Sequence, residues 1–355
     1  MKTTLQQLMR EKLILFAALL FSTSVASAQN TDYQVSAIGF YNFENLFDTL
    51  DAPDIRDEEF TPEGSKRYGT TIYTDKLNKL ARVVGEMATD VTPDGVGILG
   101  VAEIENRAVL EDFVAHPTLA DRNYQIVHFD SPDRRGIDVA LLYQEKYFTV
   151  DTAQSLRMRD LYYADGDTVF TRDILHVAGQ HGGEALHIFV GHWPSRRGGE
   201  AASSPLRQAL ARRFKESADS IQAIDPAAKI ILMGDLNDDP VSPSVADVVG
   251  AVGKQRRVPD DGFFNPMYSL FRQGLGTLAY RDAWSLFDQI ILNDELIRED
   301  NGWRYYQTHI FNEPYMYQRS GRFRGYPLRT WVGDNYMGGF SDHFPVYVLL
   351  VKAIE

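Results

Sequence analysis

The chain has 355 residues, 44% hydrophobic and 24% charged, which suits a globular protein with a large core. Its formal net charge of −13 is a poor match to a non-specific nucleic-acid binder. With no cysteine it can hold no disulfide, no thiolate metal site and no cysteine nucleophile.

The first segment reads as a targeting signal. Lys2, Arg10 and Lys12 precede the apolar run LILFAALLF at 13–21, and Ala26-Ser27-Ala28 is a small-x-small cleavage site. The run is too short for a stable membrane anchor. We expect residues 1–28 to be removed as a signal peptide, with export to the periplasm or beyond the cell. Residues 29–355 show no linker and are expected to form one catalytic domain, as a monomer.

Apolar runs then end in polar clusters. VSAIGF leads into Asn42 and Glu44, and VGILGVA into Glu103 and Glu105. LHIFVG leads into His192, IILMG into Asp235 and Asn237, and SDHFPV places Asp342 and His343 before a final run. Short runs rich in Val and Ile read as buried strands. Ligand sites in α/β sheets gather at strand ends, so the clusters are expected to converge. Between them, Thr74 can cap a helix running to about Ala88, and Ser204-Pro205 can open a second. Residues 136–190 read as hairpins of an antiparallel or mixed sheet. Residues 301–340, rich in Tyr, Arg and Gly, read as long ordered loops near the site or as a packed irregular segment.

The residue types suit phosphoester hydrolysis with a hard cation. Glu103 is the strongest metal-ligand candidate. Asn42 offers an amide oxygen to a cation or to a catalytic Asp, and Asp342 lies where it can serve the metal. Asp235 can orient or deprotonate water, and Asn237 can donate to a phosphoryl oxygen. His192 and His343 stand at strand mouths, and Asp288 can pair with one of them, fixing its tautomer. Arg172 and Arg135 either contact phosphate or form surface salt bridges. Glu44 and Glu105 are weaker candidates, and Asp238 and Asp239 read as solvated turn residues. No GxSxG, GxxxxGK[ST] or HExxH motif competes.

YNFENLFD, GVAEIEN, GHWPSR, GDLNDDP, SLFDQIILN and SDHFPV, in this order, closely resemble the endonuclease/exonuclease/phosphatase superfamily. The resemblance spans about residues 34–352. It implies a four-layer α/β sandwich, two mixed β-sheets face to face and flanked by helices. It also implies metal-site roles for Asn42, Glu103 and Asp342, a phosphate-contacting His192, the Asp235/Asn237 pair, and Asp288 supporting His343. The cation is expected to be Mg²⁺, with Mn²⁺ or Ca²⁺ as alternatives. At position 44 repair-type members carry Asn or Asp, so the longer Glu44 departs from them. The GHWPSRRGG loop and the Tyr/Arg-rich tail look like a secreted bacterial subgroup. The expected partner is a phosphoester, a nucleic acid or nucleotide among the choices. The alternatives are a lipid-directed phosphohydrolase, for which FFNPMY at 263–268 is the one candidate apolar loop, and a non-catalytic binding protein on the same scaffold.

Overall fold

A computed structural model of the chain describes residues 32–163, 166–298 and 302–354. The signal-peptide expectation falls on 1–28, outside the described residues. In chain order the elements are β1 (Tyr33–Leu46), α1 (Thr70–Glu86), β2 (Val96–Ile104), α2 (Arg107–Val114), β3 (Tyr124–His128) and β4 (Asp138–Gln144). Then follow β5 (Phe148–Leu156), β6 (Ile174–His181), β7 (Glu184–His192), α3 (Glu200–Ile224), β8 (Lys229–Asp235), β9 (Ala251–Val252) and β10 (Phe263–Phe264). The chain continues with α4 (Met267–Arg272), β11 (Leu278–Tyr280), β12 (Ala283–Ser285), β13 (Asp288–Asn293), β14 (Arg304–Ile310), β15 (Trp331–Val332), β16 (Asn335–Tyr336) and β17 (Val346–Ala353).

Two mixed sheets dominate. One has the order β14-β17-β1-β2-β4-β3 and the other β5-β6-β7-β8-β13-β10-β9. The central strands are apolar on both faces because each sheet is covered on both sides there. Ile38, Phe40, Ile98, Leu141, Val346 and Val348 of the first sheet share a buried cluster with Val177, Ile188, Ile231, Met233 and Ile290 of the second. Their strand neighbours point the other way, as the period of two requires. Tyr41, Phe43, Leu99 and Val101 pack under Leu80 and Val84 of α1, Met87 just past its end, and Phe113 of α2. Phe189, Ile230, Leu232 and Ile291 pack under Leu210, Phe214 and Ala218 of α3. The result is the expected four-layer sandwich.

Three local expectations change. α1 begins at Thr70, one turn before Thr74, after the extended Gly69. α3 begins at Glu200, so Pro205 stands inside it; Gly199, at φ 105, starts the helix and its carbonyl accepts from Ser203 Oγ at 2.8 Å. Residues 304–310 form a strand, β14, antiparallel to β17. Phe263, Phe264 and Met267 are buried, so FFNPMY is core and offers no apolar loop to a lipid surface. Among the described residues, no helix is long and apolar enough to cross a membrane.

Candidate active site

The expected site residues meet where β1, β2, β7 and β8 end and β13 begins. β1 and β2 run in parallel, with Asn42 opposite Ala102, but the register then shifts so that Leu46 opposes Ile104. Glu44, Asn45 and Glu103 take left-handed backbone at φ 48, 57 and 58 in this bulge. Each such non-glycine residue costs on the order of 1 kcal/mol. The bulge turns Glu103 to the strand mouth, where Oε2 accepts from the Asn45 amide at 3.1 Å. Three residues on, Asn106 caps α2 by accepting from Val109 N at 3.1 Å.

In the second sheet three residues fall on one cross-strand row. His192 pairs with Asp235, and Asp235 with Asp288. Behind them Gly191 pairs with Gly234, and a Cβ on Gly234 would lie 2.0 Å from the Gly191 carbonyl oxygen. Only glycine lets β7 and β8 close here, and that closure sets His192 beside Asp235.

Contacts between the sheets complete the site. Asn42 Nδ2 donates to Asp235 Oδ2 at 3.1 Å, and Asn42 Oδ1 accepts from the Glu44 amide at 2.9 Å. His343 Nδ1 lies 2.6 Å from Asp288 Oδ2, while its Nε2 faces Asp235 Oδ2 at 3.9 Å and Asp342 Oδ1 at 4.0 Å. His192 Nε2 lies 3.5 Å from Asp235 Oδ2 and 3.7 Å from Glu103 Oε1. Asp235 Oδ1 accepts from Asn237 N at 3.0 Å, and Asn237 Nδ2 donates to Trp193 O at 3.0 Å.

Several side chains sit differently from expectation. Arg172 is buried and turned to the protein: Nε and Nη2 donate to the carbonyls of His192 and Trp193, and Nη1 pairs with Asp133 at 2.9 Å. It braces the His192 loop, and its fork is spent where phosphate binding would need it. Arg135 remains half exposed beside Asp133. Asp342 is claimed by Arg329, Nη2 to Oδ2 at 2.6 Å. Asp238, expected in solvent, is buried against Arg207 of α3 at 2.8 Å and accepts from Ser244 Oγ at 2.6 Å. Glu44 turns away from Glu103 and accepts from the Thr330 amide at 2.6 Å. Glu105 accepts from Asp48 N at 2.6 Å. Sequence reading missed Arg329 and the buried Lys76, which donates to Thr330 Oγ1 at 2.8 Å. Nothing in local pattern marks either; only the long return of the chain after β14 brings Arg329 over Asp342.

The electrostatics divide the two histidines. Burial opposes charge on His343, but Asp288, Asp235 and Asp342 outweigh it and hold its pKa well above the ordinary value. Burial drives the pKa of His192 well down, with Arg172 and Arg135 adding to the effect. The surroundings therefore favour the charged form of His343 and the neutral form of His192. Burial pushes Asp235 up to about 7, against the pull of His343. Burial likewise raises Glu44 and depresses Lys76, each partly countered by the other.

Glu103, His192 and Asp235 each offer a ligand atom within 4.8 Å of the others. Two carboxylates and an imidazole, none ion-paired to Lys or Arg among the described residues, fit a divalent cation.

A sandwich of two mixed sheets with such a strand-end site defines the class of DNase I-like folds. The chain belongs to the endonuclease/exonuclease/phosphatase family, whose pattern matches residues 37–352, and it is a phosphoric ester hydrolase. Solved structures agree in fold. An endonuclease/exonuclease/phosphatase family protein of Bacteroides thetaiotaomicron is 15% identical at a TM-score of 0.54, covering 91% of this chain and 97% of that one. The mannosyl-6-phosphatase Bt3783 of B. thetaiotaomicron VPI-5482 is 14% identical at 0.53, covering 89% and 99%. A humanized TDP2 of D. rerio is 14% identical at 0.52, covering 89% and 98%. Comparison with curated proteins found no match.

Proposed function

We propose that this protein is an exported, divalent-cation-dependent hydrolase of phosphodiester or phosphomonoester bonds, acting on nucleic acid, nucleotide or another small soluble ester. The observation that carries the reading is the Asp288–His343 pair, which joins the two sheets at 2.6 Å and turns Nε2 toward Asp235. Glu103, Asp235 and His192, with the Asn42 amide behind them, would hold the cation; Mg²⁺ comes first, then Mn²⁺ or Ca²⁺. When bound, it would neutralise phosphoryl oxygens and favour ionisation of the attacking water. Asp342 joins this set only if Arg329 releases it.

The protein residues have separable tasks. Asp288 holds the His343 ring in one orientation and favours the imidazolium, which donates to the anionic phosphoryl group. Asp235, held by the Asn42 side chain and the Asn237 amide, is suited to orient the attacking water. The second amide hydrogen of Asn237 can bond a phosphoryl oxygen without adding charge. Arg172 acts through the carbonyls it braces. Among the structural neighbours, a TDP2 of D. rerio was solved with a single-strand DNA product, and Bt3783 is a mannosyl-6-phosphatase. Both lend support to a phosphoester substrate. The buried FFNPMY segment speaks against a lipid surface.

The test is a panel of plasmid DNA, RNA, bis(p-nitrophenyl) phosphate, p-nitrophenyl phosphate, sphingomyelin and phosphoinositides with Mg²⁺, Mn²⁺ or Ca²⁺. Cation-dependent turnover of a soluble ester, abolished by EDTA, is expected. Turnover that survives chelation would overturn the reading.

A further inference from the structure

Among the described residues, Arg329 is the one arginine whose fork rests on a carboxylate of the reaction site. Its Nη2 meets Asp342 Oδ2 at 2.6 Å, and its Nε stands 3.7 Å from Glu44 Oε1. The fold builds this placement. After Leu328 the chain runs out and returns: Phe340 N donates to the Leu328 carbonyl at 2.7 Å, Met337 N to that of Thr330 at 2.8 Å, and β15 pairs with β16 at the tip. A Cβ on Gly339 would lie 2.0 Å from the Leu328 carbonyl oxygen and 2.1 Å from that of Arg329, so glycine lets the two legs close. Three residues on, the returning leg delivers Asp342 to Arg329. The amides of Thr330 and Trp331 donate to Glu44 at 2.6 and 3.4 Å, and Lys76 holds Thr330 Oγ1 at 2.8 Å.

The backbone is thus pinned, but the side chain is not. It is 47% exposed and borders a recess of about 200 Å³ shared with Asp342. Among the described residues its guanidinium makes one hydrogen bond, the one to Asp342. The arginines nearby are spent: Arg172 gives three donors to fixed protein atoms, and Arg196 divides its fork among the Asn237 carbonyl, Asp238, Asp239 and Glu200.

Asp342 separates Arg329 from the reacting group. Its Oδ1 lies 4.0 Å from His343 Nε2, the nitrogen that faces the phosphoryl group. Glu44, Glu103, Asp235 and Asp342 would repel an arriving phosphate. A planar fork that binds phosphate through parallel N–H bonds offsets that repulsion. A hard divalent cation prefers carboxylate oxygens, so Asp342 is a partner that a guanidinium and a cation must contest.

We propose that Arg329 is the phosphate-contacting arm of this site. Without substrate its fork rests on Asp342 and Glu44; when a cation takes Asp342, the fork passes to a phosphoryl oxygen. The proposal rests on the hydrolase reading above.

The experiment uses the full chain. Mn²⁺, and then inorganic phosphate with Mn²⁺ bound, are titrated by calorimetry into the parent, Arg329→Gln and Arg329→Lys. The ester panel above is assayed in parallel, and thermal melts check the fold of each variant. Without the guanidinium the carboxylates are more negative, so Arg329→Gln should bind Mn²⁺ about fivefold more tightly. It should bind phosphate about tenfold more weakly, the scale of one hydrogen bond involving a charged group. Arg329→Lys keeps the charge without the fork, so its Mn²⁺ affinity should stay near the parent's while phosphate binding recovers in part. Shifts of opposite sign are the signature, because a residue that only positions Asp342 would weaken both. Equal or weaker Mn²⁺ binding in Arg329→Gln, or unchanged phosphate binding, overturns the proposal; the hydrolase reading stands if the parent cleaves an ester. Opposite shifts with no ester cleaved would keep the phosphate arm and overturn the hydrolase reading. A parent chain that binds neither Mn²⁺ nor phosphate and cleaves no ester overturns both.

Discussion

His343 precedes β17 of one sheet and Asp288 opens β13 of the other, yet their 2.6 Å contact makes them one unit. His343→Ala should lower kcat by about 10²-fold or more with a much smaller effect on KM. Asp288→Asn should give a smaller loss in the same direction, and the double variant should be little worse than His343→Ala alone. Steady-state kinetics of the four proteins check this; fully multiplicative losses would show that the residues act independently. Glu103→Gln should keep the fold and weaken both divalent-cation binding and turnover, because a hard cation loses one of its carboxylates. Calorimetric Mn²⁺ titration with parallel activity assays decides the point, and unchanged values in both would make Glu103 structural. At this scale the sequence was readable wherever a polar residue ended an apolar run: Asn42, Glu103, His192 and Asp235 all announce themselves so. It was unreadable where partners come from afar. Arg329 reaches Asp342 from an irregular segment, and Asp133 turns Arg172 inward. No periodicity encodes either.

Strands were legible because a sandwich covers both faces of each sheet, and covered strands read as continuous apolar runs. β14 escaped because its exposed Tyr306 and Gln307 and half-buried neighbours mark the sheet edge. Helix starts were misjudged where backbone conformation at Gly69 and Gly199 outweighed Ser and Thr as caps. Paired strands also carry a titration. On β6, burial and then the neighbouring His187 lower the pKa of His176 to about 4, and burial lowers that of His181 to about 4. The folded values lie below the ordinary unfolded value of about 6.5, so the fold favours neutral rings. Their contribution is complete above about pH 6.5 and is lost as pH falls toward 4. His176→Gln should therefore show a smaller drop in Tm between pH 7 and pH 4.5 than the parent chain. Parallel slopes in thermal melts at the two pH values would refute this.

At the scale of the whole molecule, the site cannot be divided between halves of the sequence. Residues from Asn42 to His343 meet at one place, and Gln34–Ala353 form one compact unit. We expect residues 29–355 to resist cleavage into separately folded parts. Limited proteolysis with mass spectrometry tests this, and two stable halves would contradict it. The same spectra of protein from expressing cells test removal of residues 1–28, for which a mature chain beginning at Gln29 is expected. Four layers were foreseeable only through the family resemblance, since strand patterning alone does not say which strands share a sheet. β4 and β5 are consecutive, yet they belong to different sheets.

The left-handed backbone at Glu44, Asn45, Glu103 and Asn237 has an evolutionary corollary. Glycine would fit all four positions with less strain, so a laboratory lineage selected for heat resistance alone should drift toward glycine there and lose turnover. At Glu103 and Asn237 the side chain held on that backbone reaches the reaction site, which a glycine could not.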